Sequence, residues 1–172
     1  QDNARKPETM MHDMMVSATE MLPDLVALRR AIHAEPEIGL HNPLTRDRIR
    51  AALDGLPLDW RSGPSTTGLV ATLKGPQNGR TVLLRGDTDA LPMPEETGLD
   101  YASTVPGAMH ACGHDSHVAM LVGAARLLCA RRDALAGTVL FMFQPGEEGH
   151  HGARFMLDDG IIDPLPDAAF AL

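Results

Sequence analysis

The chain has 172 residues, 15 Lys+Arg against 23 Asp+Glu, and a formal net charge of −8. With 44% hydrophobic and 22% charged residues the composition is that of a folded globular chain rather than a disordered one. The acidic balance and an aromatic content of 3% argue against nucleic acid or an anionic membrane as partner, because both select clustered Lys/Arg and single-stranded nucleic acid adds stacking surfaces. No apolar run approaches the ~20 residues of a bilayer span, and two cysteines make no disulfide scaffold.

Residues 1–18 are polar, Met-rich and without period, which predicts a flexible N-terminal arm. Over 19–33 the apolar positions Leu22, Leu25, Val26, Leu28 and Ile32 fall at helical spacing. The segment HAEPEIGLHNP breaks that pattern, and Asn42 and Pro43 read as the cap and first residue of a second helix that runs to Asp54 and stops at Gly55. Strands are predicted over 58–61, 69–74 and 81–85, with turns in SGPSTTG and GPQNG. The run TVLLRGD has the continuous apolar character of a buried central strand. A long irregular stretch covers 87–116, and loops of that length inside a domain are usually functional. Helix returns at Ser116, with Val118, Leu121, Val122, Ala125, Leu128 and Cys129 on one face. A buried strand over 137–144, a helix over 152–159 and a strand over 167–172 complete the chain. The order predicts an α/β fold: a largely parallel twisted sheet flanked by helices.

Three polar clusters stand at predicted element ends: RGDTD over 85–89, HACGHDSH over 110–117 and QPGEEGHH over 144–151. In open parallel sheets ligands bind at the carboxyl ends of strands. Together the clusters supply thiol, imidazole and carboxylate, the donor set of a transition-metal site. Cys112 and His114, separated by a glycine, can turn two donors to one ion. Cys129 lies on an apolar helix face and reads as core. Glu147 and Glu148 are adjacent, and their backbone directions differ. One can ligate a metal while the other accepts a proton and passes it on. Asp89 reads as a residue that orients a ligand histidine. Asp87 reads equally as a turn residue or a site residue. His150 and His151 are placed in a loop near the site, and His12, His33 and His41 as structural or surface. Thiolate plus imidazole favours zinc, cobalt or nickel over magnesium, with manganese next if the carboxylates dominate.

The segments RRAIHAEPEIGL, LLRGDTDALPMPE, MHACGHDSHVAMLVGAARLL and FMFQPGEEGHHGARFMLDDG, in this order, resemble the amidohydrolase branch of the M20 metallopeptidases, which includes hippurate hydrolases, aminoacylases and auxin-conjugate hydrolases. The resemblance implies a zinc-exopeptidase-like catalytic domain holding two divalent ions (Zn, Mn, Co or Ni). Cys112, His114 and Glu148 resemble its metal ligands, Glu147 its general base and acid, and Asp89 its ligand-orienting aspartate. The implied reaction is hydrolysis of the amide of an N-acyl amino acid or short peptide. The alternatives are a dipeptidase or carboxypeptidase on the same scaffold, or a non-catalytic metal- or partner-binding fragment. Residues 19–172 resemble the N-terminal part of the catalytic domain. Further histidine ligands and the smaller lid and dimerisation domain fall outside it, so this length alone is expected to be inactive. The resemblance further implies a cytoplasmic protein, or an exported one after processing, that forms homo-oligomers at full length.

Overall fold

The structure is a computed structural model in which residues 7–172 are described. The elements follow as α1 (Pro7–Ala34), α2 (Pro43–Ala52), β1 (Asp59–Ser62), β2 (Leu69–Lys74), β3 (Gln77–Asp87), α3 (His114–Cys129), β4 (Ala136–Gln144), α4 (Gly152–Asp158) and β5 (Ala168–Ala171).

The N-terminal region departs from expectation. The arm expected over 1–18 is helical from Pro7 onward, and its first six residues lie outside the described residues. Pro7 suits a helix's first turn, and the Glu, Met and Ala that follow are good helix formers. Met10, Met11, Met15 and Val16 are exposed, so this half of α1 has no core stripe and leaves no periodic signature.

The sheet has five strands in the order β1-β2-β4-β3-β5. β3 is parallel to both β4 and β5. β2 is antiparallel to both β1 and β4. The parallel character is therefore confined to one half of the sheet. The loop over 63–68 between β1 and β2 is too short for a crossover, so the chain can only turn back antiparallel.

Side chains alternate across the sheet as the pleat requires. Leu69, Ala71 and Leu73 of β2 and Val139, Phe141 and Phe143 of β4 face a core shared with Ile32, Ile49, Val118, Leu121 and Val122 of the three longer helices. Val70, Leu83, Leu140 and Met142 face a smaller core closed by Met156, Ile161 and Ile162. No described helix is long and apolar enough to cross a membrane.

Two connections leave the central strands at one rim. β3 ends at Asp87 beside Gln144, the end of β4, and the Thr88 N–H donates to the Gln144 carbonyl at 2.8 Å. From β3 the chain crosses to β4 on one side, and from β4 it crosses back to β5 on the other. That reversal opens a crevice at the carboxyl ends of β3 and β4.

Candidate metal centre

Asp87 and Asp89 continue β3 into the rim. Glu147 and Glu148 follow β4 after Pro145 and Gly146. Cys112 and His114 arrive from the long loop at the start of α3. Between them Gly113 has φ 86°, a left-handed conformation that favours glycine. This turn sets the two flanking donors on one side.

Cys112, His114 and Glu148 each offer a donor atom, and these atoms lie within 4.8 Å of one another. His114 is buried, and its Nδ1 lies 2.8 Å from the Asp89 carbonyl oxygen. A carbonyl accepts only, so Nδ1 carries a proton and Nε2 is the nitrogen left to face a metal. Nε2 is 3.9 Å from Glu148 Oε1 and 4.0 Å from Glu147 Oε2. A neutral imidazole fixed in this tautomer by its other nitrogen is the form in which histidine ligates metal. The donor set therefore fits a transition-metal ion.

Asp89 is buried. Its Oδ1 accepts the Glu147 N–H at 3.0 Å and its Oδ2 the Glu148 N–H at 3.1 Å. One carboxylate thus pins the Glu147–Glu148 backbone while its own carbonyl pins His114. Burial acts to raise its carboxyl, but the His114 hydrogen bond and the two N–H groups outweigh it and hold the pKa below its ordinary value. For His114 burial acts downward, and Asp89 and Asp87 outweigh it upward. Desolvation pushes the Cys112 thiol up, and the nearby carboxylates, Glu148 foremost, push it further. A cation among these groups would reverse that pressure, because a coordinating thiol is deprotonated.

The two glutamates differ in setting. The Glu147 side chain is 42% exposed and that of Glu148 26%. Asp87, left undecided by the sequence, is buried and engaged. Its Oδ1 is 2.6 Å from His117 Nδ1, its Oδ2 2.9 Å from Arg85. Asp87, His114 and His117 form a second possible donor group, but Asp87 already has a cationic partner in Arg85, and both groups draw on His114. Cys129 is buried against the larger core, as read. His110 is 3% exposed, and neither ring nitrogen has a hydrogen-bond partner. Burial lowers its pKa to about 4, which keeps it neutral near pH 7. His150 and His151 are exposed; the His150 ring lies against Gly39.

Sequence reasoning missed Arg85, His117 and Asn42. Asn42 does not cap α2 with its side chain. Instead its Nδ2 donates to the Gly39 carbonyl, and its Oδ1 accepts the Thr88 hydroxyl at 2.8 Å. A buried asparagine beside an Asp-Thr-Asp strand end has no sequence signature of its own.

Comparison with known proteins shows the family. The chain belongs to peptidase family M20/M25/M40, whose model matches residues 83–172. It is 43% identical over 140 residues to an N-acetylcysteine deacetylase of Bacillus subtilis, covering 81% of this chain and 37% of that protein. It is 40% identical over 142 residues to thermostable carboxypeptidase 1 of Saccharolobus solfataricus, covering 81% of this chain and 36% of that protein. The crystal structure of a dinuclear metal-binding M20 peptidase of Bacillus subtilis superposes with a TM-score of 0.81 at 40% identity, over 91% of this chain and 43% of that one. The chain thus spans well under half the length of these relatives.

Proposed function

We propose that this chain carries the N-terminal part of the catalytic domain of a metal-dependent amidohydrolase, and that the whole protein cleaves the amide of N-acyl amino acids. The observation that carries the reading is the convergence of Cys112, His114 and Glu148 within 4.8 Å, with the Glu147 carboxylate beside them, 4.0 Å from His114 Nε2 and paired with no Lys or Arg among the described residues. The named activity of the N-acetylcysteine deacetylase supports the substrate class.

In this reading Cys112, His114 and Glu148 hold one divalent ion, and Asp89 fixes the backbone and tautomer that aim them. Zinc, manganese, cobalt or nickel bound there, as one of two ions in the whole protein, would supply Lewis acidity toward an amide carbonyl and toward water. Glu147 accepts the proton of the attacking water and delivers it to the departing amine, so that water adds across the C–N bond to give an acid and an amine. The two donor groups share His114, whose Nδ1 is committed to Asp89. Among the described residues the two groups therefore make no two-metal site, and the 172 residues on their own are expected to turn over no substrate. Cytoplasmic location and homo-oligomer formation belong to the same proposal and rest on the family resemblance. The similarity to a carboxypeptidase supports a second reading, cleavage of a C-terminal peptide bond on the same site.

The test uses the full-length gene product, loaded in turn with zinc, cobalt and manganese and assayed on N-acetyl and N-benzoyl amino acids beside peptides with a free carboxyl terminus. Turnover of the N-acyl amino acids that disappears in Glu147→Gln supports the first reading. Turnover of peptides alone supports the second, and metal-independent turnover of either overturns both.

A further inference from the structure

Beneath the candidate centre lies a buried polar cluster that the chemistry above does not use. His33, in the last turn of α1, is 3% exposed. Its Nδ1 is 2.7 Å from Asp115 Oδ2 and its Nε2 3.1 Å from Glu95 Oε1. Carboxylates accept only, so both contacts are hydrogen bonds when both ring nitrogens carry protons. Asp115 also holds Arg29 Nε at 2.7 Å, and its Oδ1 accepts the Ser116 N–H. Glu95 accepts the Ser103 N–H at 2.6 Å and the Thr97 hydroxyl. Tyr101 meets the His33 ring edge-on at 5.4 Å. Nitrogen donors and carboxylates thus alternate from Arg29 through Asp115 and His33 to Glu95, all but Arg29 sealed from solvent at their side chains.

The placement of the two carboxylates gives this cluster its meaning. Asp115 directly follows His114 in the first turn of α3. Glu95 stands inside the loop that runs from Asp89 to Cys112. Among the described residues His33 is the one side chain that bonds both. The apolar contacts of α1 with α3, through Ile32, Val118 and Val122, already hold the helices together, and apolar contact is non-directional. Buried ion networks add little net stability over apolar packing of the same volume, and their best-attested use is to fix one arrangement.

We infer that His33 is a positioning residue for the metal centre, locking the first turn of α3 to the 88–113 loop so that His114 and Cys112 present their donors together. The inference rests on the reading of Cys112, His114 and Glu148 as ion-holding residues. His33 touches neither ion nor substrate; it acts through Asp115 and Glu95.

Two substitutions separate the contacts. The amide nitrogen of Gln falls where Nε2 stands, so His33→Gln keeps Glu95 and cuts Asp115. That of Asn falls where Nδ1 stands, so His33→Asn keeps Asp115 and cuts Glu95. The full-length gene product is titrated with cobalt(II), following thiolate-to-cobalt absorption, with far-UV circular dichroism as the fold control. His33→Gln should weaken cobalt binding by about 10- to 100-fold, the scale of outer-shell substitutions at metal sites, and shift the absorption band. His33→Asn should do so less, because Asp115 is the direct neighbour of His114. A folded His33→Gln with parental affinity and band overturns the inference. If His33→Gln does not fold, His33→Asn decides: weakened binding with the fold retained supports the lock, and unchanged binding overturns it. A parent without a thiolate band that Cys112→Ser would remove overturns the ion-site reading itself, and the inference with it.

Discussion

Asp89→Asn is the sharpest perturbation of the candidate centre, because it changes one atom and nothing in shape. The parent carboxylate accepts two N–H groups, from Glu147 at 3.0 Å and Glu148 at 3.1 Å. An amide offers one oxygen, so one N–H must face an NH₂ donor. The loss of one hydrogen bond to a charged acceptor is about 1.5–3 kcal/mol, and at about 1.4 kcal/mol per tenfold this is roughly 10- to 100-fold in an equilibrium constant. The Asp89 charge that supports His114 is lost as well. Cobalt(II) affinity of the full-length gene product should fall on that scale while far-UV circular dichroism stays parental. The sign of the pH effect follows from the depressed Asp89 carboxyl. Its contribution to stability is complete above the ordinary value of 3.8 and is lost as pH falls through the folded value. The variant should therefore show a flatter acid limb in chemical denaturation below pH 3.8. Parental cobalt affinity in a folded Asp89→Asn protein would refute the idea that this carboxylate sets the Glu147–Glu148 backbone.

Other substitutions test neighbouring links. Cys112→Ser should lower metal content and activity together, whereas Cys129→Ser, buried against the larger core, should leave metal content unchanged and lower stability by about 1–3 kcal/mol for burying a hydroxyl; elemental analysis separates them. Glu147→Gln should retain metal and lose at least ~10²-fold in kcat, the scale of removing a general base, while Glu148→Gln should lose metal first; equal metal loss in both would merge the two roles. Glu95 is held at about 2, because the Thr97, Ser103 and His33 hydrogen bonds outweigh the upward push of burial. Its contribution to stability is whole above its ordinary 4.5 and lost toward pH 2, so Glu95→Gln should flatten the stability profile across that interval. A slope equal to the parent's would place the acid sensitivity elsewhere.

The strands were legible because their cores are built from short apolar runs bounded by turn residues. LVATLK and TVLFMFQ need no tertiary knowledge to be read as strands. Their pairing was less legible. β4 inserts between β2 and β3, and neither local pattern nor turn type encodes a non-sequential neighbour. GPQNG reads as a turn, yet β3 already begins at Gln77, with a register irregularity before Thr81. There the parallel partner overrides local turn chemistry. The first half of α1 was illegible for the opposite reason. A helix is recognised by the face it buries, and exposed Met10, Met11 and Met15 bury none.

The same contrast governs the site. Residues that handle an ion or proton must be chemically specific, so Cys112, His114, Glu147 and Glu148, for which those roles are proposed, stood out by type and crowding. Residues that aim them need only the right hydrogen bond from the right direction. Asn42 and His117 could be read as cap and helix residue, and His33 as structural or surface. Arg29 and His33 are one helical turn apart, and Thr97 and Ser103, Glu95's other partners, lie in its own loop segment. Neither spacing points across the 82 residues that separate His33 from Asp115. What made His33 visible is burial: a side chain 3% exposed with a carboxylate on each ring nitrogen is too costly to desolvate without compensation. Its carboxylate partners lead directly to the residue beside His114, so the proposed positioning role is readable only from the three-dimensional neighbourhood of the donors and not from their spacing along the chain.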